Sequence, residues 1–257
     1  MTQAETVPLL SVIVPVRNDA PSVEVMVRVL SAMIDQPHEI IIVYDDLADT
    51  SIPVIERLRP RFSQLRDVYN STKRGVLSAL RAGIAAARGR YVMIFAADEI
   101  GPVLVINRML SLMDKGCDFV SATRYSGGGR RYGGSPIGHA LSRTANALFM
   151  LCSATALSDC TTGIKMFRRE IFEQLGVEGL GTGWSCAFEM AIRAQAMNLK
   201  LAEVPIVSID RLFGGESTFR LVPWIVSYAK IFLWGVRMLP PWHSPRPRLA
   251  FAREPRT

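Results

Sequence analysis

Histidine and cysteine are scarce in this chain, three of the first and four of the second, and neither is clustered. His38, His139 and His243 are too scattered for a zinc site, whose ligands come at short spacing. Cys117, Cys152, Cys160 and Cys186 include no C-x-x-C pair and sit in apolar surroundings. They read as reduced thiols of a cytosolic protein. No Walker loop and no G-x-G-x-x-G fingerprint is present, which weighs against phosphoryl transfer and dinucleotide binding. No nucleic-acid-binding module appears, so nucleic acid is not expected as a partner. The N-terminus lacks a charged segment followed by a long apolar run, so no signal peptide is expected.

What the chain does have is apolar residues and positive charge. Residues of the apolar set make up 49% of it, enough for a large core in one α/β domain. Lys and Arg number 30 against 23 Asp and Glu, a net charge of +7 that suits an anionic partner. The central stretch runs from Arg88 to Glu99. Tyr91 to Phe95 form a short apolar run without alternation, the mark of a strand covered on both faces. Asp98 and Glu99 end it. In an open α/β sheet ligands sit at the carboxyl ends of strands, so Asp98 is placed to hold a divalent cation against a phosphate. The plainer alternative is an Asp that caps the next segment.

In order, Leu9 to Val16 reads as a strand that breaks at Arg17-Asn18-Asp19, and Pro21 opens a helix to about Ile34. Glu39 to Tyr44 is a second buried strand, ending in Asp45 and Asp46. A helical stretch covers Ser51 to Leu58, a short strand Asp67 to Tyr69, and a third helix Lys73 to Ala87, leading into the strand Arg90 to Ala96. This alternation predicts a parallel, right-handed βαβ sheet with its ligand edge at the Asp-bearing ends. Arg74-Gly75, before the third helix, pairs a cation with a glycine where backbone N–H groups can meet a phosphate.

Further on, Val103 to Met113 reads as a helix and Cys117 to Thr123 as a strand. Arg124 to Gly134 carries five glycines and three arginines, Arg124, Arg130 and Arg131, and reads as a mobile cationic lid or as a solvated surface loop. A long apolar helix is expected over His139 to Leu157, with Ser142, Arg143 and Asn146 as its polar exceptions. A turn at Asp159 leads to a strand-like piece carrying Lys165. The helix Trp184 to Met197 sets Glu189 and Arg193 four residues apart, where they can pair. In the strand Glu203 to Arg211, Pro205 suggests a sheet edge.

Leu221 to Leu239 is the most hydrophobic stretch and contains Lys230 and Arg237. Spanning a bilayer would bury both, at about 2.5–3.5 kcal/mol each near the centre. An interfacial helix, or one docked on the domain, avoids that cost, and Trp224, Tyr228, Trp234 and Trp242 suit a membrane–water boundary. The division expected is an N-terminal tail (1–8), a main α/β domain (9–220, split into 9–100 and 101–220), an amphipathic helix (221–242) and a disordered basic tail (243–257).

Taken in order, these stretches resemble glycosyltransferase family 2, in the branch similar to dolichol-phosphate mannose synthase. The likeness rests on the opening strand with Pro15 and Asn18, the strand ending in Asp45-Asp46, the run Arg74 to Gly83, and Ala87 to Val92 leading into the D-x-D. It continues through Thr123-Arg124-Tyr125, Ser142 to Asn146, Asp159 to Lys165, and Glu203 to Ser217. Four positions depart from the pattern. Ala96 replaces the first Asp of the D-x-D, Arg17 an aromatic, Gly138 a basic residue, and Lys165 an Arg.

The resemblance implies a GT-A fold: a Rossmann-like, mostly parallel α/β sheet flanked by helices, in a single domain with a C-terminal amphipathic helix. It implies an inverting transfer from a GDP- or UDP-sugar with Mg²⁺ or Mn²⁺. Pro15, Arg17, Asn18, Asp45, Asp46, Arg74, Gly75 and Asp98 are the expected nucleotide-sugar contacts, with Asp98 holding the metal. Asp98, Arg124 and Arg211 are the expected catalytic set. Arg124, Arg131, Ser142, Lys165, Arg211 and Ser217 are expected to receive an acceptor phosphate, for which a polyprenyl phosphate is the natural candidate. A phosphate is already anionic near neutral pH and needs cations rather than a base. A hydroxyl acceptor would need one, and Glu189 or Asp159 are the carboxylates on offer. A relative that binds nucleotide-sugar without transferring it is the third reading. The expected setting is the cytoplasm, peripherally on the inner face of the membrane, with a homo-oligomer left open.

Overall fold

The computed structural model describes residues 7–209, 221–243, 245 and 247–249. Its first half is β1 (Leu10–Pro15), α1 (Ala20–Met33), β2 (His38–Tyr44), α2 (Ile52–Leu58), β3 (Leu65–Tyr69), α3 (Val76–Ala86) and β4 (Tyr91–Ile94). A 3₁₀ turn (Gly101–Val105) then runs into α4 (Ile106–Asp114), followed by β5 (Phe119–Thr123), β6 (Arg130–Tyr132) and α5 (Pro136–Cys152). The chain continues through β7 (Lys165–Arg168), α6 (Ile171–Leu175), α7 (Ser185–Ala196), β8 (Leu201–Pro205), β9 (Val207–Ile209) and α8 (Leu221–Met238).

Seven strands form one sheet in the order β3-β2-β1-β4-β7-β5-β8. Neighbours run parallel except at β7, which lies antiparallel between β4 and β5. Both faces are covered, which is why β1, β2 and β4 are apolar runs without alternation. On one face α1 inserts Val23, Met26, Val27 and Leu30, joined by α2 and α4. On the other α3, α6 and α7 supply Leu80, Ile84, Phe172, Cys186 and Met190. Each such side chain contributes about 1.5–3 kcal/mol on leaving water. Glu39 ties the entry to β4 to the first two strands. It accepts from Ser11 Oγ at 2.6 Å and from the Arg88 backbone N–H at 2.6 Å, while Gly89 N–H donates to Ser11 Oγ at 2.8 Å. Burial opposes its charge, but these donors and Arg66 hold its carboxyl below the usual range.

Several expectations shift. The segment 124–134 is not loop throughout: Arg130–Tyr132 forms β6, paired in parallel with β9. The helix expected to Leu157 ends at Cys152, where Ser153 turns extended and its hydroxyl donates to Phe149 O at 2.6 Å. β8 sits at the sheet edge, as Pro205 suggested, and Leu249 bridges to Leu201 there, so at that residue the basic tail is ordered on the sheet.

The C-terminal helix α8 docks on the protein through Ile231 and Leu239, in a third apolar cluster with Phe149 of α5 and Phe188 and Ile192 of α7. Most aromatics expected at a membrane boundary face inward. Trp224 stacks on Tyr228 at 5.5 Å, Tyr228 on Phe188 at 6.2 Å, and Trp234 lies under the Arg193 guanidinium at 5.1 Å. Among the described residues no helix is long and apolar enough to cross a membrane.

Candidate active site

The order β2-β1-β4 places three chain breaks side by side at one sheet edge: Asp45-Asp46 after β2, Pro15 to Asn18 after β1, and Asp98 after β4. Neighbouring strands lie about 4.8 Å apart, so the whole row is only on the order of 10 Å wide. That is the span of a nucleoside diphosphate. The Arg74 guanidinium donates to Asp46 Oδ2 at 2.8 Å, and Gly75 N–H donates to Asp45 Oδ2 at 3.0 Å. Gly75 has φ +119° with open space where a Cβ would stand, so glycine there answers to the backbone conformation alone.

Asn18 is held in the left-handed region at φ 53° by the loop after β2. Its backbone N–H donates to Asp49 Oδ2 at 2.9 Å, and its side-chain Oδ1 accepts from Thr50 N–H at 3.2 Å. Asn18 therefore shapes the turn, while Arg17 beside it is exposed. Asn70, after β3, plays a similar part. It is buried and donates to Lys73 O at 2.7 Å and Ser78 Oγ at 3.1 Å, setting the course of the loop that carries Arg74. Nothing in local periodicity marks Asp49 or Asn70 for these tasks. Only their position after a strand hints at it.

Asp98 is half-buried on the turn after β4, where Glu99 N–H donates to Ala96 O at 3.2 Å. Among the described residues no three His, Cys, Asp or Glu side chains gather into a metal cage. A single hard carboxylate suits Mg²⁺ or Mn²⁺, which keep several waters and share their shell with substrate phosphates. The donor set fits such an ion.

The second half of the chain is organised around a buried pair. Asp159, fully buried, accepts from Arg124 Nε at 2.7 Å and Nη2 at 3.0 Å, and also from the backbone N–H groups of Arg124, Thr161 and Thr162. Burial alone would raise the Asp159 pKa, but Arg124 outweighs it and holds the carboxyl low. Burial likewise opposes the charge on Arg124, and Asp159 more than offsets it, raising its pKa. Around the pair, Tyr125 OH donates to Ser142 Oγ at 2.8 Å, the Ser142 and Thr161 hydroxyls meet at 3.2 Å, and Asn146 Nδ2 donates to Thr161 Oγ1 at 2.9 Å. Arg124 and Ser142 are thus brought into one network. The Arg124 guanidinium is engaged by Asp159 through Nε and Nη2, which fixes the root of the loop that follows β5.

Two other expectations change. Lys165 points into the core, with Nζ 3.1 Å from Ser121 Oγ and over the Phe119 ring at 5.7 Å. Burial lowers its pKa to about 8, and at no exposure it is out of reach of an acceptor phosphate. Glu189 is also fully buried. It accepts from the backbone N–H groups of Glu178, Gly179 and Leu180 and from Arg193 Nε at 2.8 Å, the helical pair its spacing suggested. Arg131 lies half-buried on β6 opposite Ser208, and Arg130 is exposed. Arg211 and Ser217 lie outside the described residues.

One contact between distant segments left no sequence signal. A Cβ on Gly101 would stand 1.7 Å from the Val207 carbonyl oxygen, so the turn after Asp98 packs backbone to backbone on β9. Since β9 pairs with β6, the turn after Asp98 and the strand of Arg130 and Arg131 are joined through that approach. Glu203, on β8, braces the other side by accepting from the Ser158 and Asp159 backbone N–H groups at 2.7 and 3.2 Å.

The glycosyl transferase family 2 model matches residues 11–176, and the chain belongs to that family. It is an enzyme of the glycosyltransferase class. Polyprenol monophosphomannose synthase of Mycolicibacterium smegmatis is 25% identical over 228 residues, covering 83% of this chain and 85% of that protein. Glycosyltransferase AglD of Haloferax volcanii is 27% identical over 203 residues, which are 77% of this chain but only 32% of AglD, so the match spans about a third of that relative. Among solved structures, glucosyl-3-phosphoglycerate synthase of Mycobacterium tuberculosis with Mn²⁺, UDP-glucose and phosphoglyceric acid superposes with a TM-score of 0.65 at 17% identity, covering 92% of this chain and 82% of that one. A mannosyltransferase of Pyrobaculum calidifontis with GDP-mannose and Mn²⁺ gives 0.61 at 20%, covering 90% and 64%. Both carry the GT-A-like fold expected from the sequence.

Proposed function

We propose that this enzyme transfers a sugar, with inversion, from a GDP- or UDP-sugar to a polyprenyl phosphate at a membrane surface, using Mg²⁺ or Mn²⁺. One observation carries the choice of acceptor. Asp159 and Glu189, the two carboxylates offered as a base for a hydroxyl acceptor, are fully buried and saturated with donors. A phosphate monoester needs no base, because it is already ionised near neutral pH. The similarity to a polyprenol monophosphomannose synthase along most of both chains supports the same acceptor.

In this reading the base and ribose lie against Pro15, Arg17 and Asn18 and the Asp45-Asp46 edge, and the diphosphate lies between Asp98 and the Arg74-Gly75 turn. A divalent ion on Asp98 would neutralise charge as the nucleoside diphosphate departs. Arg74 can exchange its partner Asp46 for a phosphate, since that pair is exposed. Arg131, with Arg211 and Ser217, orients the acceptor phosphate, and Ser142 donates to it from α5. An acceptor oxygen attacks the anomeric carbon as the bond to the diphosphate breaks, and no proton needs removal.

The test is an acceptor comparison at fixed donor: polyprenyl phosphate, the parent polyprenol, and free sugars. Transfer to the phosphate alone is expected. Equal transfer to the polyprenol or to a free sugar would refute this choice of acceptor.

A further inference from the structure

The outward face of α5 is apolar where a surface helix should be polar. Ile137, Leu141, Leu148 and Leu151 recur at three-, four- and seven-residue spacing and are 64%, 42%, 48% and 78% exposed. On the neighbouring α8, Ile225 and Leu233 are 47% and 62% exposed. The two helices pack through Phe149 and Phe232, whose rings meet at 5.4 Å, so their outward faces border one another.

We propose that this joint α5–α8 face, with α5 as its larger part, docks the enzyme on an anionic lipid bilayer. Charge selects this occupant over a second copy of the chain. No Asp or Glu occurs from Phe119 to Ser158 or from Ser217 to Arg253, which include all of α5 and α8. Arg143, Lys230 and Arg237 are exposed at the edges of the apolar stripe. Two copies would set cationic rims against each other, whereas anionic headgroups neutralise them while the leucines enter the acyl boundary. The inward packing of Trp224, Tyr228 and Trp234 removes α8 as the principal anchor and leaves that part to α5. Ser142 lies on the same helix, so docking through α5 brings the acceptor network to the headgroup plane. This last step rests on the lipid-phosphate reading above. The docking itself does not.

Sedimentation with vesicles of phosphatidylglycerol and phosphatidylcholine tests the proposal on the full chain, using the variant Leu141→Glu/Leu148→Glu. Both sites are exposed, and an unchanged melting temperature and unchanged nucleotide binding establish that the variant folds. The wild type is expected to bind the anionic vesicles, to release with salt, and to bind pure phosphatidylcholine far less. The variant should bind at least about tenfold more weakly. Equal vesicle binding by both proteins would overturn the proposal. So would a wild-type dimer, seen by sedimentation velocity, that the variant dissociates while neither protein binds vesicles. A short, water-soluble isoprenyl phosphate separates docking from function: the variant should glycosylate it at the wild-type rate. If neither protein does so while vesicle binding still distinguishes them, docking stands and the acceptor reading fails.

Discussion

Replacing Asp159 by Asn tests the idea that a buried ion pair holds the acceptor half together. The side chain keeps its shape, but one oxygen becomes an N–H₂ group. Oδ2 receives the Arg124 Nε and backbone N–H, while Oδ1 receives Arg124 Nη2, Asn146 Nδ2 and the Thr161 and Thr162 backbone N–H groups. Whichever oxygen is replaced, donors then face donors, and the Arg124 cation is left buried at 9% exposure without its counter-charge. Breaking one side of such a pair costs about 3–5 kcal/mol. In a chain of this size each kcal/mol moves the melting point by roughly 2–4 °C, so a drop of roughly 6–20 °C is expected. Arg124→Met should cost less, because Asp159 keeps Asn146 and its backbone donors. The pH dependence has a definite sign. With its pKa held below the usual value, Asp159 contributes stability that is present above the ordinary carboxylate range and lost as pH falls through its folded value. The gap between wild type and Asp159→Asn, followed by circular dichroism, should therefore narrow in acid. A melting point within about 2 °C of wild type at pH 7 would show that the pair does not hold this part of the fold together.

Lys165→Met should change how stability depends on pH. The buried Lys165 has its folded pKa lowered from 10.5 to about 8, so the unfolded chain binds more protons between those values and wild-type stability gains from this group as pH rises through that window. The variant should lack that rise, and parallel melting curves for the two proteins from pH 8 to 10.5 would contradict the assignment. Gly101→Ala must displace the Val207 carbonyl and with it β9 and β6. A raised KM for the proposed polyprenyl phosphate acceptor with unchanged donor affinity is expected, and steady-state kinetics with each substrate varied in turn would detect it.

Much of the donor side was legible because its signal is local. An apolar run that stops at an acid marks a covered strand and where it ends, and the structure has such strands ending at Tyr44, before Asp45, and at Ile94, shortly before Asp98. The acceptor side was less legible. Lys165 opens a four-residue strand, too short for its pattern to say which face a residue takes, and only the completed sheet shows Nζ beneath Phe119. Arg124 looked like a ligand for an external anion because its partner lies 35 residues away. The sequence marks α5 as a long apolar helix but not which side is covered, and the domain covers only the side bearing Asn146 and Phe149. The meeting of Gly101 and Val207 joins segments more than a hundred residues apart, and no periodicity records it.

Asp98, after β4, is proposed to anchor a divalent cation against a nucleotide diphosphate. Titration calorimetry of GDP and UDP with and without Mn²⁺, on wild type and Asp98→Ala, measures it most directly. One nucleotide is expected to bind the wild type in a Mn²⁺-dependent manner, and the variant to lose affinity by on the order of tenfold or more together with the metal dependence. Equal, equally Mn²⁺-dependent binding by the two proteins would contradict it.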